Sequence, residues 1–558
     1  MSFLSRLEQQ FRDPVIYWPA VALIAASTPM AFAPYYHFWL MPLLFGALIR
    51  LAELNPQRSV AGAYVFGFIA YACQFYWIHT ALHDVSGLPN LYAVPAVLLF
   101  AAFLALYPML AFKLWRKFNL PRWMNVGIAL PLLWTLTEFA RERLLTGFGW
   151  GAIGYSQITR DSPLAGFAPL GGIHLVTLAT AFAGAWLVLF IDNESRLKKR
   201  IAPLCAVVAL FIGGYVAQQT DFTRPDGSTS TVALAQGNIE QTLKWREDQI
   251  VPTIQRYYDQ VSKTRADIVI LPEAAIPQIM QDLPENVLRS FAEQAQSNGS
   301  SLAVGILKYT DDSRTDYENA VVNLSEYTNG EKPRIQSYAK SHLVPFGEYK
   351  PLRFITGPLY RLMDMPMSDM KKGAAGQPPL TMKNQKVAFN ICYEDGFGDE
   401  LIASAKQSTL LANVSNMGWY GDSNAMWQQL QQSQARAMEL GRYMVRSTNN
   451  GATAILSPKG HIVAQSVPNT VTVLEGHIKG YTGETPYMEM GGSYPLIGLL
   501  ALFAVMLYYV GRNNRRFGKS AQQRPTDGTS EPAAMSQWGD DDGLQADMDQ
   551  EYLIEKDK

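Results

Sequence analysis

Apolar residues run in long blocks through the first 219 positions and in short bursts after that. A helix that crosses a bilayer core takes about 20 mostly apolar residues. Seven such stretches precede residue 220, near 15–34, 38–54, 60–81, 91–112, 124–140, 164–191 and 201–218, and an eighth lies near 493–511. The second and seventh are short. From residue 230 the period changes. Segments 230–239, 266–276, 301–309, 319–325, 386–396, 408–416, 452–460 and 470–478 are brief apolar runs that read as strands. Segments 245–265, 286–299 and 424–443 read as helices, the second closing on Asn298-Gly299, a C-cap signal. Strands alternating with helices predict an α/β domain with covered sheet faces. The pattern therefore divides the chain into a helical membrane domain (1–219), a globular α/β domain (220–490), a final membrane helix (491–511) and a tail (512–558).

Charge follows the same division. Of 95 charged residues, 24 precede residue 220. Numbering the loops alternately from the inside, one side collects 16 Lys and Arg: Arg6, Arg12, Arg50, Arg58, Lys113, Arg116, Lys117, Arg122, Arg196, Lys198, Lys199, Arg200, Arg512, Arg515, Arg516 and Lys519. The other side's short loops hold only Arg141, Arg143 and Arg160. Basic loops stay cytoplasmic, so about eight spans, with both termini inside and the α/β domain outside, are expected. Ala31-Phe32-Ala33 resembles a signal-peptidase site, but Pro34 and further spans follow it directly, so the first helix reads as retained.

The net charge of −1 gives no basic field for nucleic acid. Three cysteines exclude a disulfide scaffold. No Cys/His cluster has metal-ligand spacing, and neither metal nor cofactor is expected. Cys73 and Cys205 fall within spans and read as small packing residues. Glu138, beside Arg141 and Arg143, reads as one half of an interfacial ion pair. The outside loop 141–163 sets Leu144, Leu145, Phe148 and Trp150 among Gly147, Gly149 and Gly151. It is either an arm resting at the lipid surface or a loop packed on the globular domain. Residues 521–558 carry ten acidic and three basic residues, the composition of a disordered cytoplasmic extension.

Three predicted strand ends carry reactive side chains: Glu273 after IVILP, Lys340 in SYAKSHLVPFGEY and Cys392 after VAFNI. Strand ends of α/β sheets converge on one edge, where sites form. The trio is chemically coherent. A thiol needs a base to become a nucleophile, a carboxylate can take that proton, and an ammonium can stabilise an oxyanion. Spacing alone does not separate it from three unrelated residues at the core edge.

The segments LPEAAIP, YAKSHLVPFGEY and NICYEDGF resemble the three signature segments of the carbon–nitrogen hydrolase (nitrilase) superfamily. The wording HLVPFGEY, the spans, and SNMGWYGDS followed by RSTNNGATAILSPKG resemble its apolipoprotein N-acyltransferase family over roughly residues 15–511. The resemblance implies an α-β-β-α sandwich on the periplasmic face of a Gram-negative inner membrane. It implies Glu273 as base, Lys340 as oxyanion stabiliser and Cys392 as nucleophile, with Glu348, Tyr393, Glu394 and Asn319 in support. Trp245 and Trp419 match positions near the pocket, where packing is the competing reading, and Trp150, Leu144, Leu145 and Phe148 are candidates for substrate contact. His342 reads as structural, as does the Asn449-Asn450-Gly451 turn. The reaction implied moves the sn-1 acyl chain of a glycerophospholipid, expected to be phosphatidylethanolamine, through a cysteine thioester. The acceptor is the α-amino group of a diacylated apolipoprotein, and the enzyme is expected to be a monomer. One departure is the segment NAMWQQLQQSQ after GDS, which lacks the histidine expected there. Two rivals share parts of the pattern: a membrane-tethered amidase or nitrilase, and a transporter or receptor carrying an inactive hydrolase-like domain.

Overall fold

The computed structural model describes residues 8–191, 197–327, 335–351 and 369–522. Arg6, Arg196 and residues 523–558 of the acidic segment 521–558, for which a disordered extension was expected, lie outside the described residues.

Helices form at all eight places where the hydropathy pattern puts them. Among the described residues, five are long and apolar enough to cross a membrane: Pro14–Ala31, Asn90–Trp115, Pro163–Ile191, Ile201–Gln219 and Tyr494–Asn513. A sixth follows if Ser59–Gln74 and Ile78–Val85, bent by 59° at their junction, count as one span. The remaining two differ for visible reasons. Leu40–Leu54 has only 15 residues, and Leu130–Arg143 ends in Glu138, Arg141, Glu142 and Arg143. Local signals set the ends: Asp13 accepts from the Val15 N–H at 2.9 Å with Pro14 in the first turn.

Two expectations in this half are corrected. Cys73 and Cys205 are exposed on the outer faces of their helices rather than packed inside, because the small residues at the helix contacts are glycine and alanine, as at Gly46 against Gly184. Glu138 is not half of an interfacial pair. It is buried and accepts from the Trp134 indole (3.0 Å), the Ile153 N–H (3.1 Å) and the Thr177 hydroxyl (3.2 Å). Arg141 turns instead to the carbonyls of Phe148 (2.6 Å) and Trp150 (2.7 Å).

The globular half is a two-sheet sandwich. One sheet holds β1 (Arg224–Gln236), β2 (Ile268–Ile270), β3 (Ile276–Ile279), β4 (Ser301–Tyr309), β5 (Tyr317–Asn323), β6 (Ser337–Ala339) and β13 (Thr472–Thr482). Its order is β13-β1-β2-β4-β5-β6, with β3 beside β4. The other holds β7 (Leu380–Met382), β8 (Gln385–Ile391), β9 (Leu410–Ser415), β10 (Met444–Thr448), β11 (Ala454–Leu456) and β12 (Ile462–Gln465), in the order β12-β11-β10-β9-β8-β7. Each has a parallel centre, β1-β2-β4 and β8-β9-β10. Parallel strands require both faces covered. Val232, Ile270 and Val321 meet Val387, Phe389 and Val414 between the sheets. Helices Glu247–Lys263 and Glu285–Ser297 cover one outer face through Tyr257, Leu288 and Phe291. Helices Gly398–Ala405 and Asn424–Leu440 cover the other through Leu401, Leu430 and Leu440. The result is the expected α-β-β-α order. The predicted strand 266–276 is divided into β2 and β3 by the turn that carries Glu273. Strands β7, β10 and β12 and helix Gly398–Ala405 were not anticipated, and of β6 only the end before Lys340 was.

Helix Asn424–Leu440 is buried on both faces, against the second sheet and against the membrane bundle. Nearby, Gly172 (φ +69°) breaks the helix Pro163–Ile191 where Tyr487 of the globular half presses in; a Cβ there would sit 2.5 Å from the tyrosine ring. We expect Phe389→Ala, which empties the centre of the sandwich, to cost about 3–5 kcal/mol. A fall in the melting temperature of the detergent-solubilised protein checks it.

Candidate active site

The three reactive residues lie at strand ends, as expected. Glu273 sits in the turn after β2, Lys340 follows β6 and Cys392 follows β8. Cys392 takes φ +54° at the start of the tight turn Cys392–Gly396, so the chain reverses at the sulphur-bearing residue. A left-handed residue other than glycine costs roughly 1–3 kcal/mol and needs support.

That support is Glu394. Its buried carboxylate accepts five hydrogen bonds: from the N–H of Ile391 (2.6 Å), the N–H (2.6 Å) and hydroxyl (2.8 Å) of Ser341, the N–H of His342 (3.0 Å) and the hydroxyl of Tyr338 (2.9 Å). The side chain thus ties the Cys392 turn to the segment bearing Lys340. Burial raises the Glu394 pKa against these donors.

Lys340 has no solvent-exposed side-chain surface. Its Nζ lies 2.6 Å from Glu348 Oε1 and 3.6 Å from Glu273 Oε1. Burial works against the ammonium, but the carboxylates of Glu348 and Glu273 outweigh it and hold the lysine protonated. Glu348 is itself fixed by the Val344 N–H at 2.8 Å. Asn319 Nδ2 donates to Glu273 Oε1 at 2.8 Å, and the Asn319 carbonyl accepts from the Lys340 N–H at 2.8 Å. Burial, then the Glu273 carboxylate, push the Cys392 thiol up to about 12, against the pull of Lys340 and Arg446. The resting sulphur is therefore a thiol at neutral pH, within the field of the Glu273 carboxylate.

The 141–163 loop divides by residue. Leu144 and Leu145 are exposed, 56% and 76%. Phe148 and Trp150 turn inward: Trp150 packs against Trp77 at 4.7 Å, and Phe148 against Phe75 and Phe100, each at 4.9 Å. Both rings lie 6.4 Å from Tyr393, whose hydroxyl donates to the Gly147 carbonyl at 2.9 Å. Trp245 and Trp419 are half-buried; Trp245 lies 6.0 Å from the Lys244 ammonium, and Trp419 occupies the turn Met417–Tyr420. His342 stacks on Phe397 at 3.7 Å and reaches Glu400 at 3.1 Å, a structural placement. Asn449 is buried and bonds both polar groups of the Ile239 backbone, as a structural turn does.

Four residues near the site went unremarked in the sequence. Lys244 is buried and donates to the Glu273 carbonyl at 3.2 Å; burial brings its pKa down to about 8. Tyr420, in the turn Met417–Tyr420, packs on Trp77 at 4.7 Å. Gln429 and Arg446 lie behind Cys392. The signal for Arg446 was a charge inside an apolar run, and for Gln429 a helix too polar for its burial. Among the described residues no His/Cys/Asp/Glu group could hold a metal ion.

Residues 231–487 match the carbon–nitrogen hydrolase family, and residues 24–186 match the apolipoprotein N-acyltransferase N-terminal domain. The apolipoprotein N-acyltransferase of Neisseria meningitidis serogroup B is 69% identical over 505 residues, 90% of this chain and 98% of the relative. The chain belongs to the apolipoprotein N-acyltransferase family. The like-named protein of Chromobacterium violaceum is 48% identical over 88% of this chain and 93% of its own, and that of Vibrio cholerae 35% over 87% and 96%. An apolipoprotein N-acyltransferase is an acyltransferase, here built on a carbon–nitrogen hydrolase sandwich attached to apolar helices that fit a membrane protein.

Gly305 on β4 keeps Glu273 close. A Cβ there would lie 2.1 Å from the Pro272 carbonyl oxygen and 2.9 Å from Glu273 Cα. We expect Gly305→Ala to push Glu273 away from Lys340 and lower acyl transfer at least ten-fold, checked by turnover beside a melting curve.

Proposed function

We propose that the chain transfers the sn-1 acyl chain of a glycerophospholipid to the α-amino group of the S-diacylglyceryl cysteine of apolipoproteins, through a thioester on Cys392. The observation that carries this reading is the buried Lys340 between Glu273 and Glu348, on a segment that Glu394 joins to the Cys392 turn. Glu273 takes the thiol proton as the sulphur attacks the ester carbonyl. Lys340, with the N–H of Tyr393, stabilises the oxyanion, a donor worth about 3 kcal/mol. The bond to the glycerol oxygen breaks, Glu273 returns the proton to that oxygen, and the lysophospholipid leaves. The acceptor amine, with a reference pKa near ~8, is partly neutral at about pH 7. It attacks the thioester, Glu273 accepts its extra proton, and the sulphur leaves to be reprotonated. The order is ping-pong.

Glu348 holds Lys340, Glu394 holds the turn and Asn319 holds Glu273. The half-buried Trp245 and Trp419 line the approach with Trp150 and Phe148, while the exposed Leu144 and Leu145 meet lipid. No metal or cofactor takes part. Both substrates are anchored in the bilayer, which gives a reason for attaching the sandwich to a helical bundle. The loop bias of 16 basic residues against 3 supports about eight spans, cytoplasmic termini and a catalytic domain in the periplasm of a Gram-negative inner membrane. The domain division is 1–219, 220–490, 491–511 and 512–558, the donor is phosphatidylethanolamine and the enzyme works as a monomer.

Incubation of the purified protein with labelled phosphatidylethanolamine, without acceptor, tests the reading. Peptide mapping should find a hydroxylamine-sensitive acyl group on Cys392 that is missing in Cys392→Ala and Glu273→Ala. A folded protein that forms no adduct would exclude the phospholipid as donor and turn attention to amides and nitriles.

A further inference from the structure

Behind the sulphur lies a second polar chain that the triad does not use. Gln429, on helix Asn424–Leu440, is buried, and its Nε2 lies 3.9 Å from Cys392 Sγ. Its Oε1 accepts from Nη2 of Arg446 on β10. Arg446 is held in turn by Asp395 Oδ2 (3.0 Å), Asn413 Oδ1 (2.9 Å) and the Ser433 hydroxyl (3.0 Å). Asn413 closes the ring by donating to the Cys392 carbonyl at 3.3 Å.

A guanidinium only donates. The amide oxygen must therefore face Arg446, and the amide NH2 must face the sulphur. We propose that Gln429 is a catalytic residue that donates an N–H to the Cys392 sulphur, and that Arg446 is the positioning residue that aims it. A donor fixed in advance stabilises charge where it develops, without reorganisation. Here charge develops on sulphur twice, when the thiol is deprotonated and when the thioester expels it. Hydrogen bonds in a resting site are often long and tighten as charge appears. The charged and titratable groups whose fields couple to the sulphur are Glu273, Glu348, Lys340, Arg446 and Tyr420. Gln429 adds a neutral donor that persists whatever their protonation.

The inference rests on Cys392 being the nucleophile. Its test uses the full-length protein with Cys73→Ala and Cys205→Ala, which leaves Cys392 the sole cysteine. The rate of iodoacetamide alkylation is followed against pH, with acyl loading from phosphatidylethanolamine measured in parallel. Gln429→Met keeps the shape and removes the donor. It should lower the rate at pH 8 about ten-fold and move the profile up by about one pH unit. Gln429→Glu can still accept from Arg446 but presents oxygen to the sulphur, and should move the profile further. Gln429→His, which carries a ring N–H, should restore most of the rate. Arg446→Lys keeps the charge but loses the fork, and should shift the profile the same way by less. A role confined to packing would alter melting and leave the profile in place. Profiles of folded Gln429→Met and Gln429→Glu that superimpose on the parent overturn the proposal. A parent that alkylates at Cys392 yet never loads an acyl group overturns the nucleophile reading instead.

Discussion

Everything at this site depends on one helix being buried on both sides. Helix Asn424–Leu440 lays Leu430, Ala437 and Leu440 on the second sheet and Ala425, Met426, Ala435 and Met438 on the membrane bundle. A helix apolar all round would serve for burial alone, but this one is rich in polar residues, and many of them reach across the seam. Gln431 accepts from the Ala33 N–H and donates to the Ile158 carbonyl. Gln428 accepts from the Trp77 indole, and Glu439 from the Ile173 N–H. Buried polar groups with matched partners specify one arrangement, because any shift leaves them unpaired at a cost. The sandwich is thereby held in one position on the bundle, and the Cys392 turn with it.

The second constraint acts within the site. Two carboxylates and one ammonium share a buried space, and each is held by a neighbour: Glu273 by Asn319, Glu348 by the Val344 N–H, Lys340 by both acids. Burying an ammonium unpaired would be prohibitive. Paired, it stays an ammonium donor fixed in the pocket, although the cluster of two acids and one lysine is negative overall. Glu394 then fixes the distance between that donor and the sulphur by joining the two loops through five hydrogen bonds. The same turn reaches the membrane half through the Tyr393 hydroxyl on Gly147, so the loop bearing Leu144 and Leu145 is mechanically continuous with the Cys392 turn.

Much of this was legible in the chain. Hydropathy blocks located the long helices described in the membrane domain, because lipid-facing and core-facing residues are both apolar there. Strand β4 was read to the residue, since Leu302–Leu307 carry no polar side chain and Ser301, Lys308 and Tyr309 bound them. Glu273, Lys340 and Cys392 stood at strand ends, two in one sheet and the third in the other, and the Glu394 hydrogen bonds join the Lys340 segment to the Cys392 turn. What was hidden required tertiary partners. Strand β10 escaped notice because Arg446 interrupts it, and it takes Asp395, Asn413, Ser433 and Gln429 to make that charge tolerable in the interior. Strands β6 and β7 have three residues each, too few to show a period. Glu138 was read from its sequence neighbours Arg141 and Arg143, whereas its partners come from Trp134, Ile153 and Thr177, the last a helix away. The loop 141–163 kept two readings open because its apolar residues divide, two outward and two inward, and composition carries no direction.

The central claim is that one sulphur serves two membrane-anchored substrates in turn. The most direct measurement is a single-turnover chase. Enzyme loaded with labelled acyl chain and freed of phospholipid is mixed with a diacylated lipopeptide bearing a free α-amine, and the label is followed with time. The account predicts that label leaves Cys392 and arrives on the peptide amine with the same rate constant and nearly complete yield. Label that stays on the protein, or that departs as free fatty acid whether or not the peptide is present, would contradict it.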